Sequence, residues 1–315
     1  MQARQMNSGF GRTVLVCGAG GFIGANVAEV FAKHGWRVVG VIRSPRTTGA
    51  ENDVATETFV GDLANHDFTS EIVSKIRPNR VVFVAGPSNV QASFAQPSVD
   101  FGLHMQPLLS VLEAIRLNAR GARLILVSSA AVYGEPDKLP VWEGSTNRPI
   151  SPYGFHKLHQ ELLIREYGAL HGVEACAARV FSTYGPGLRR LAVWEIAQRA
   201  MVGNYKVMGD ASDSRDFLHV YDVARAIEAI CRAETLPWNE VNIASGLETS
   251  IDALVGLIYE ALGVPIKCQF EGIRGVGNPT RWCADTSRLG ALRYQPIIRL
   301  SDGIADVINW MKRDA

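Results

Sequence analysis

Tyr153 and Lys157, four apart in the segment SPYGFHK, are the pair in this 315-residue chain best suited to moving a proton. If the segment is helical the two side chains share a face, because residues i and i+4 are neighbours on a helix surface. A phenol holds its proton up to about pH 10. An ammonium beside it favours the phenolate, and Tyr153 then becomes an acid/base usable near neutrality. Upstream, LVSSAAVYG ends an apolar run in two hydroxyls, Ser128 and Ser129, either of which can hydrogen-bond a reacting carbonyl or alkoxide. Each feature alone is common in chains of this length, where a Tyr-x-x-x-Lys pair most often marks an exposed helix face. Their joint occurrence is what points to chemistry.

In VCGAGGFIGAN, Gly18, Gly21 and Gly24 recur every third residue between an apolar run and an amphipathic segment. A tight turn that feeds straight into a helix leaves unpaired N–H groups and the positive end of the helix dipole facing outward, and that is an anion site. Gly18 is expected to permit the turn, Gly21 to let a pyrophosphate approach the backbone, and Gly24 to let the helix lie close on its strand, with Phe22 and Ile23 opening the helix. The expected occupant is a dinucleotide. At the end of the second strand, where NAD-binding chains place an acidic residue, VVGVIRSPR has Ile42, followed by Arg43 and Arg46. A guanidinium suits a 2′-phosphate by charge and bidentate geometry, so NADP(H) is expected ahead of NAD(H). Asp62 and Leu63 in GDL, with Ala85 and Gly86 in VAG, end the next two strands and complete the predicted cofactor wall; Asp62 serves either as an acceptor for the adenine amine or as a helix cap.

These side chains need a scaffold, and the apolar pattern supplies one. The runs TVLVCG, RVVGVI, VVFVAG, RLILVSS and VEACAARVF alternate with helical stretches over 22–34, 99–119 and 153–171, which predicts an α/β fold with a Rossmann-type doubly wound parallel sheet. After Thr183 the rhythm loosens into the turns YGPG and MGDASDS, a helix VYDVARAIEAI, a strand EVNIAS and a helix over 250–262 with Ser250 as N-cap and Gly263 as its stop. Residues 1–183 are therefore read as the dinucleotide-binding domain carrying the catalytic residues. Residues 184–315 are read as a smaller mixed α/β lobe interleaved with it. A hydrophobic content of 47% allows a large core, and 32 basic against 31 acidic residues give a net charge of +1, so no field gathers nucleic acid or an anionic membrane. No apolar run is long enough to span a bilayer, and the cytoplasm is the expected location. Cys17, Cys176, Cys231, Cys268 and Cys283 are scattered without a C-x-x-C pair, which predicts reduced thiols and no metal site.

With these motifs in order, the chain resembles the extended short-chain dehydrogenase/reductase family, the nucleotide-sugar epimerases, dehydratases and ketoreductases, from Thr13 to about Met311. The resemblance is carried by the glycine turn, GDL, VAG, SSAAVYG, SPYGFHK, ARVFSTYGPG, SRDFLHVYDVARAI, NIASGLETSI and NPTRWCADTSRLGAL. It implies Ser129, Tyr153 and Lys157 as the catalytic set: Tyr153 exchanges the hydroxyl proton, Lys157 lowers its pKa and holds the nicotinamide ribose, and Ser129, four residues before Tyr133, orients the carbonyl. It also implies that Arg215 of RDF clamps the pyrophosphate of a nucleotide-sugar substrate, the alternative being a structural ion pair with Asp213 or Asp216. Arg274 matches a second phosphate-binding arginine loosely, with Arg281 as the fallback. Trp194 is expected either to stack on the base or to pack in the core, and Ser128 and Ser182 complete the implied substrate contacts.

Two departures narrow the reaction. Similar 4,6-dehydratases place acids just after the catalytic hydroxyl, where this chain has Ala130 and Ala131; ketone reduction and epimerisation remain. His104 and Ser182 stand where similar epimerases have asparagine. The arginines after Ile42 tilt the expectation to an NADPH-dependent ketoreductase of a nucleotide-activated 4-keto sugar. The alternative is a 4-epimerase holding NAD, and the third reading is a catalytically silent dinucleotide sensor. Because the family commonly dimerises through the helices over 99–119 and 153–171, a homodimer is implied.

Overall fold

A computed structural model describes residues 11–44 and 55–314. The first part of the chain forms β1 (Thr13–Cys17), α1 (Phe22–Lys33), β2 (Arg37–Ile42), β3 (Glu57–Val60), α2 (His66–Ile76), β4 (Arg80–Phe83), α3 (Val90–Ala95), α4 (Pro97–Asn118), β5 (Arg123–Ser129), α5 (Pro152–His171) and β6 (Ala175–Val180). There follow β7 (Ser182–Tyr184), α6 (Leu191–Met201), β8 (Lys206–Val207), β9 (Ser214–His219), α7 (Val220–Arg232), β10 (Glu240–Ile243), β11 (Glu248–Ser250), α8 (Ile251–Leu262), β12 (Gln269–Phe270), α9 (Ser287–Ala291) and α10 (Leu300–Arg313).

The central sheet has seven parallel strands in the order β3-β2-β1-β4-β5-β6-β10. Its strand order reverses between β1 and β4, and at such a switch point the loops part and leave a crevice. Side chains alternate across the sheet. Val14 and Val16 of β1 join Val27 and Phe31 of α1 on one face, while Leu15 and Cys17 join Ile72, Leu108 and Leu112 on the other. Both faces are covered, which is why the strands read as unbroken apolar runs rather than alternating ones.

The helix at Val220–Arg232 and the strand at Glu240–Ile243, which the sequence reading placed in the smaller lobe, return to the main sheet. Ile227 and Ile230 of α7 share a core with Val27 and Phe31, and β10 pairs in parallel with β6 from Glu240 against Ala177 to Ile243 against Val180. The apolar face of α7 covers sheet surface beside α1 that would otherwise stay wet. The remaining lobe has its own core, built from Val193 and Ile196 of α6, Leu254 and Ile258 of α8, and Ile304 and Val307 of α10. Strands β7, β9 and β11 form a three-stranded sheet and β8 pairs with β12. Ser250 caps α8 by accepting from the Ala253 amide at 3.1 Å, and Gly263 ends it in the left-handed region.

Among the described residues no helix is long and apolar enough to cross a membrane, and no group of His, Cys, Asp or Glu is placed to hold a metal. The cysteines are free thiols; burial pushes those of Cys17 and Cys176 up to about 12.

Candidate active site

A cleft of about 1760 Å³ lies over the carboxyl ends of β1, β4 and β5, walled on the far side by α6 and the end of α10. A pocket for one small ligand measures roughly 300–1,000 Å³, so this one has room for two.

The glycine turn forms one end of the cleft, and its three glycines do different things. Gly18 has φ +96, and a Cβ there would sit 2.9 Å from the Ala85 amide nitrogen. At Gly24 a Cβ would sit 2.2 Å from the Gly18 carbonyl oxygen. Both are required by the fold itself. A Cβ at Gly21 would meet only the Gly18 oxygen, at an ordinary 3.5 Å, so packing does not demand a glycine there. Gly21 is also the N-cap of α1, with no side chain capping the helix and no acidic residue in its first turn. Open backbone amides at a positive helix end and room above Gly21 fit a dinucleotide pyrophosphate. Phe22, Ile23, Arg43, Asp62, Leu63, Ala85 and Gly86 line the same cleft. Arg43 is exposed, and Arg46 lies outside the described residues. One Asp62 oxygen accepts from the Ala64 amide at 2.9 Å, while Asn65 caps α2, so Asp62 closes a turn rather than a helix end. Leu63 is buried in the core under α2.

Helix α5 places Tyr153 and Lys157. Ser151 caps it by accepting from the Gly154 amide at 3.1 Å, and Pro152 opens its first turn. A Cβ on Gly154 would sit 2.6 Å from the Ala131 oxygen; the glycine lets α5 press on the turn after β5, which brings Tyr153 to the Ser129 hydroxyl. Tyr153 and Lys157 are both buried, which removes the exposed-helix-pair alternative. Burial raises the Tyr153 phenol above its ordinary value, and Asp100 adds to the rise, while the Ser129 hydrogen bond and then the Arg190 guanidinium pull it down. The Lys157 ammonium is 6.0 Å from the Tyr153 ring centroid and donates to the Val127 carbonyl at 3.0 Å and to Gln160 Oε1 at 3.2 Å. Burial pushes it down to about 8 against the pull of Asp100 and Glu161.

Behind this pair lies a buried polar network. Ser128 Oγ donates to Glu161 Oε1 at 2.6 Å, and Arg179 closes on the same carboxylate at 3.0 and 2.7 Å. Ser128, expected to meet substrate, lines the cleft but spends its hydroxyl proton on Glu161. His104 packs 5.7 Å from the Tyr153 ring. It is fully buried, neither ring nitrogen has a hydrogen-bond partner, and burial ahead of the nearby Lys157 charge holds it down to about 2.

On the substrate side, Ser182, Trp194, Arg215 and Arg274 line the cleft. Arg215 donates to the carbonyls of Ser214, Thr280 and Pro279. Asp213 pairs with Arg274 at 2.7 Å, and Asp216 accepts from Ser245, Gly246 and Ala284. Arg281 is taken by Glu248. Trp194 packs on Trp310, ring centroids 5.4 Å apart. Sequence reasoning passed over Arg190, whose only signal was the doublet in GLRRL, and over Arg179 and Glu161.

Known proteins carry the same architecture. A protein of Methanocaldococcus jannaschii, provisionally named a UDP-glucose 4-epimerase, is 31% identical over 96% of this chain and 99% of its own. The Thermus thermophilus UDP-glucose 4-epimerase in complex with NAD superposes with a TM-score of 0.85 at 25% identity, covering 96% of this chain and 100% of the other. For the Bacillus cereus UDP-glucuronic acid 4-epimerase, in complex with UDP-glucuronic acid and NAD, the values are 0.86, 25%, 96% and 100%. Residues 14–244 match the NAD dependent epimerase/dehydratase family as a whole, and with the glycine turn, the Ser129–Tyr153–Lys157 cluster and the two-ligand cleft in place, the chain belongs to that family of extended short-chain dehydrogenase/reductase enzymes.

Proposed function

We propose that the protein is a 4-epimerase of a UDP-activated sugar that works with a resident NAD(H). Ala130 and Ala131 occupy the turn after Ser129, which sets dehydration aside and suits epimerisation and ketone reduction alike; the likeness to NAD-holding 4-epimerases carries the choice between them. Epimerisation removes a proton from one oxygen and restores it to the same oxygen, so a single tyrosine suffices. The names of the relatives support it, as does the NAD held by their solved structures. They move the balance away from the ketoreductase expected from sequence.

When bound, the nicotinamide supplies a hydride acceptor that can return the hydride. The chain's own residues do the rest. Backbone amides at the start of α1 would hold the pyrophosphate and Lys157 the ribose, while Ser129 would orient the sugar oxygen and Tyr153 take and return its proton. Arg215, on the opposite wall, turns to the substrate diphosphate from its present carbonyl partners. A second reading, an NADPH-dependent 4-ketoreductase, is favoured by Ile42 and the exposed Arg43 at the end of β2.

One purification separates the two. A 4-epimerase carries NAD through the column and interconverts UDP-glucose and UDP-galactose, or the corresponding uronates, with no cofactor added. Tyr153→Phe retains the NAD and loses about 10²–10⁴-fold in turnover. Stoichiometric consumption of added NADPH, with no cofactor retained, would overturn the epimerase in favour of the reductase.

A further inference from the structure

Lys157 keeps one donor in hand. Its ammonium carries three N–H groups; one goes to the Val127 carbonyl of β5 at 3.0 Å and one to Gln160 Oε1 at 3.2 Å. The donors of an ammonium diverge tetrahedrally, so two fixed acceptors set the direction of the third. Lys157 lines the cleft, and that third N–H is the one a ligand there can take.

Gln160 stands three residues after Lys157 on α5, so the two share a helix face, and it is fully buried. Its amide is held at both ends: Oε1 accepts from Lys157 while Nε2 donates to the His104 carbonyl of α4 at 2.7 Å. The chemistry of the partners fixes which way the amide faces, since an ammonium only donates and a carbonyl only accepts. A flexible lysine stem is thereby tied to two elements, β5 directly and α4 through Gln160. Both acceptors are also neutral. The next residue, Glu161, offers a carboxylate, but its oxygens are turned to Arg179 at 3.0 and 2.7 Å, and Ser128 shares one of them at 2.6 Å. Lys157 is aimed by oxygens that carry no net charge, which leaves its own charge to act in the cleft.

We propose that Gln160 is a positioning residue for Lys157: with the Val127 carbonyl it holds the ammonium so that the remaining N–H serves a dinucleotide bound in the cleft. The proposal rests on the reading that Lys157 is a dinucleotide contact.

A double-mutant cycle read by calorimetry tests it, with NADH and NADPH titrated into each protein and the tighter of the two kept as the probe. Gln160→Met matches the glutamine in length and removes the acceptor. In the parent background it should raise the dinucleotide Kd about 10-fold. In a Lys157→Met background no ammonium is left to aim, and the same change should leave the Kd within about two-fold. Gln160→Asn, which keeps the amide but draws it a methylene away from Lys157, gives the same pattern and decides alone should Gln160→Met not fold. A glutamine that merely fills the space between α4 and α5 would cost the same in both backgrounds. Equal costs in the two backgrounds, or an unchanged Kd in the parent, overturns the proposal. The calorimetry needs no sugar. A protein that shows the coupled pattern yet turns over no nucleotide sugar therefore keeps Gln160's role and loses only the proposed reaction.

Discussion

At the scale of single residues, the glycine turn separates what the fold needs from what a ligand needs. A glycine-to-alanine change inside a helix normally stabilises by roughly 0.5–1 kcal/mol. At Gly24 the added methyl would meet the Gly18 carbonyl at 2.2 Å, backbone against backbone, and neither side can swing away. Gly24→Ala is therefore expected to destabilise by roughly 1–3 kcal/mol, the range for overpacking, visible as a lower melting temperature. Gly21→Ala meets only an ordinary contact at 3.5 Å and no unfavourable φ, so its melting temperature stays with the parent's. Its cost falls on the ligand, as a dinucleotide Kd raised at least ~10-fold, or about 1.4 kcal/mol. If Gly21→Ala binds the dinucleotide as tightly as the parent, the space over Gly21 is not where the pyrophosphate lies.

At the scale of elements, α4 and α5 bring to the site groups that the strands alone would leave apart. His104 on α4 feels this packing most, for it is buried with no hydrogen bond to either ring nitrogen, the Asp100 carboxylate standing 3.5 Å off, and burial holds it down to about 2 from its ordinary 6.5. Above pH 6.5 it is neutral both folded and unfolded. Below that, the unfolded chain gains a proton that the folded chain refuses, so stability falls as pH drops from 6.5 toward 2. His104→Asn has no proton to gain, and its loss of stability between pH 6.5 and 4 should be shallower than the parent's in denaturant titrations; parallel curves would show that His104 finds a partner in solution.

The same elements show how far the sequence could be read. Strands β1, β2, β4, β5 and β6 and the caps of α8 were legible because β-branched runs and capping residues act locally. The shared face of Tyr153 and Lys157 was legible because spacing sets it, whereas Ser129 was singled out from Ser128 only by the family resemblance. The return of α7 and β10 to the main sheet was not. An amphipathic helix declares that it has an apolar face, not which of two cores it covers, and strand order is absent from periodicity. Arg190 escaped for a related reason, since its partner Ser88 is 102 residues away. Ser128, which also lines the cleft, has a hydroxyl that donates to Glu161, a partner 33 residues away that the sequence could not reveal.

At the scale of the whole molecule, the outer surface of the layer that carries the catalytic helix is left apolar. Phe101 and Leu109 on α4 are 43% and 45% exposed, and Phe155 and Leu162 on α5 are 48% and 50% exposed. The two stripes are continuous: the Phe101 ring lies 5.4 Å from that of His156 and 5.9 Å from that of His159. Side chains at i, i+4 and i+8 on α4, and at i and i+7 on α5, present one face to solvent, and an apolar face of two parallel-packed helices is what a two-fold partner covers with its own copy. The protein should therefore sediment as a homodimer, and Leu109→Glu with Leu162→Glu should sediment as a monomer, because each charge would be buried at the centre of a self-complementary interface. The consequence reaches the site, since one side of α5 carries these residues while the opposite side carries Tyr153 and Lys157. Losing the partner frees that helix to move against β5, so the monomeric double variant should lose turnover while keeping its far-ultraviolet circular dichroism. A parent protein that sediments as a monomer at micromolar concentration would leave those four apolar side chains without this explanation.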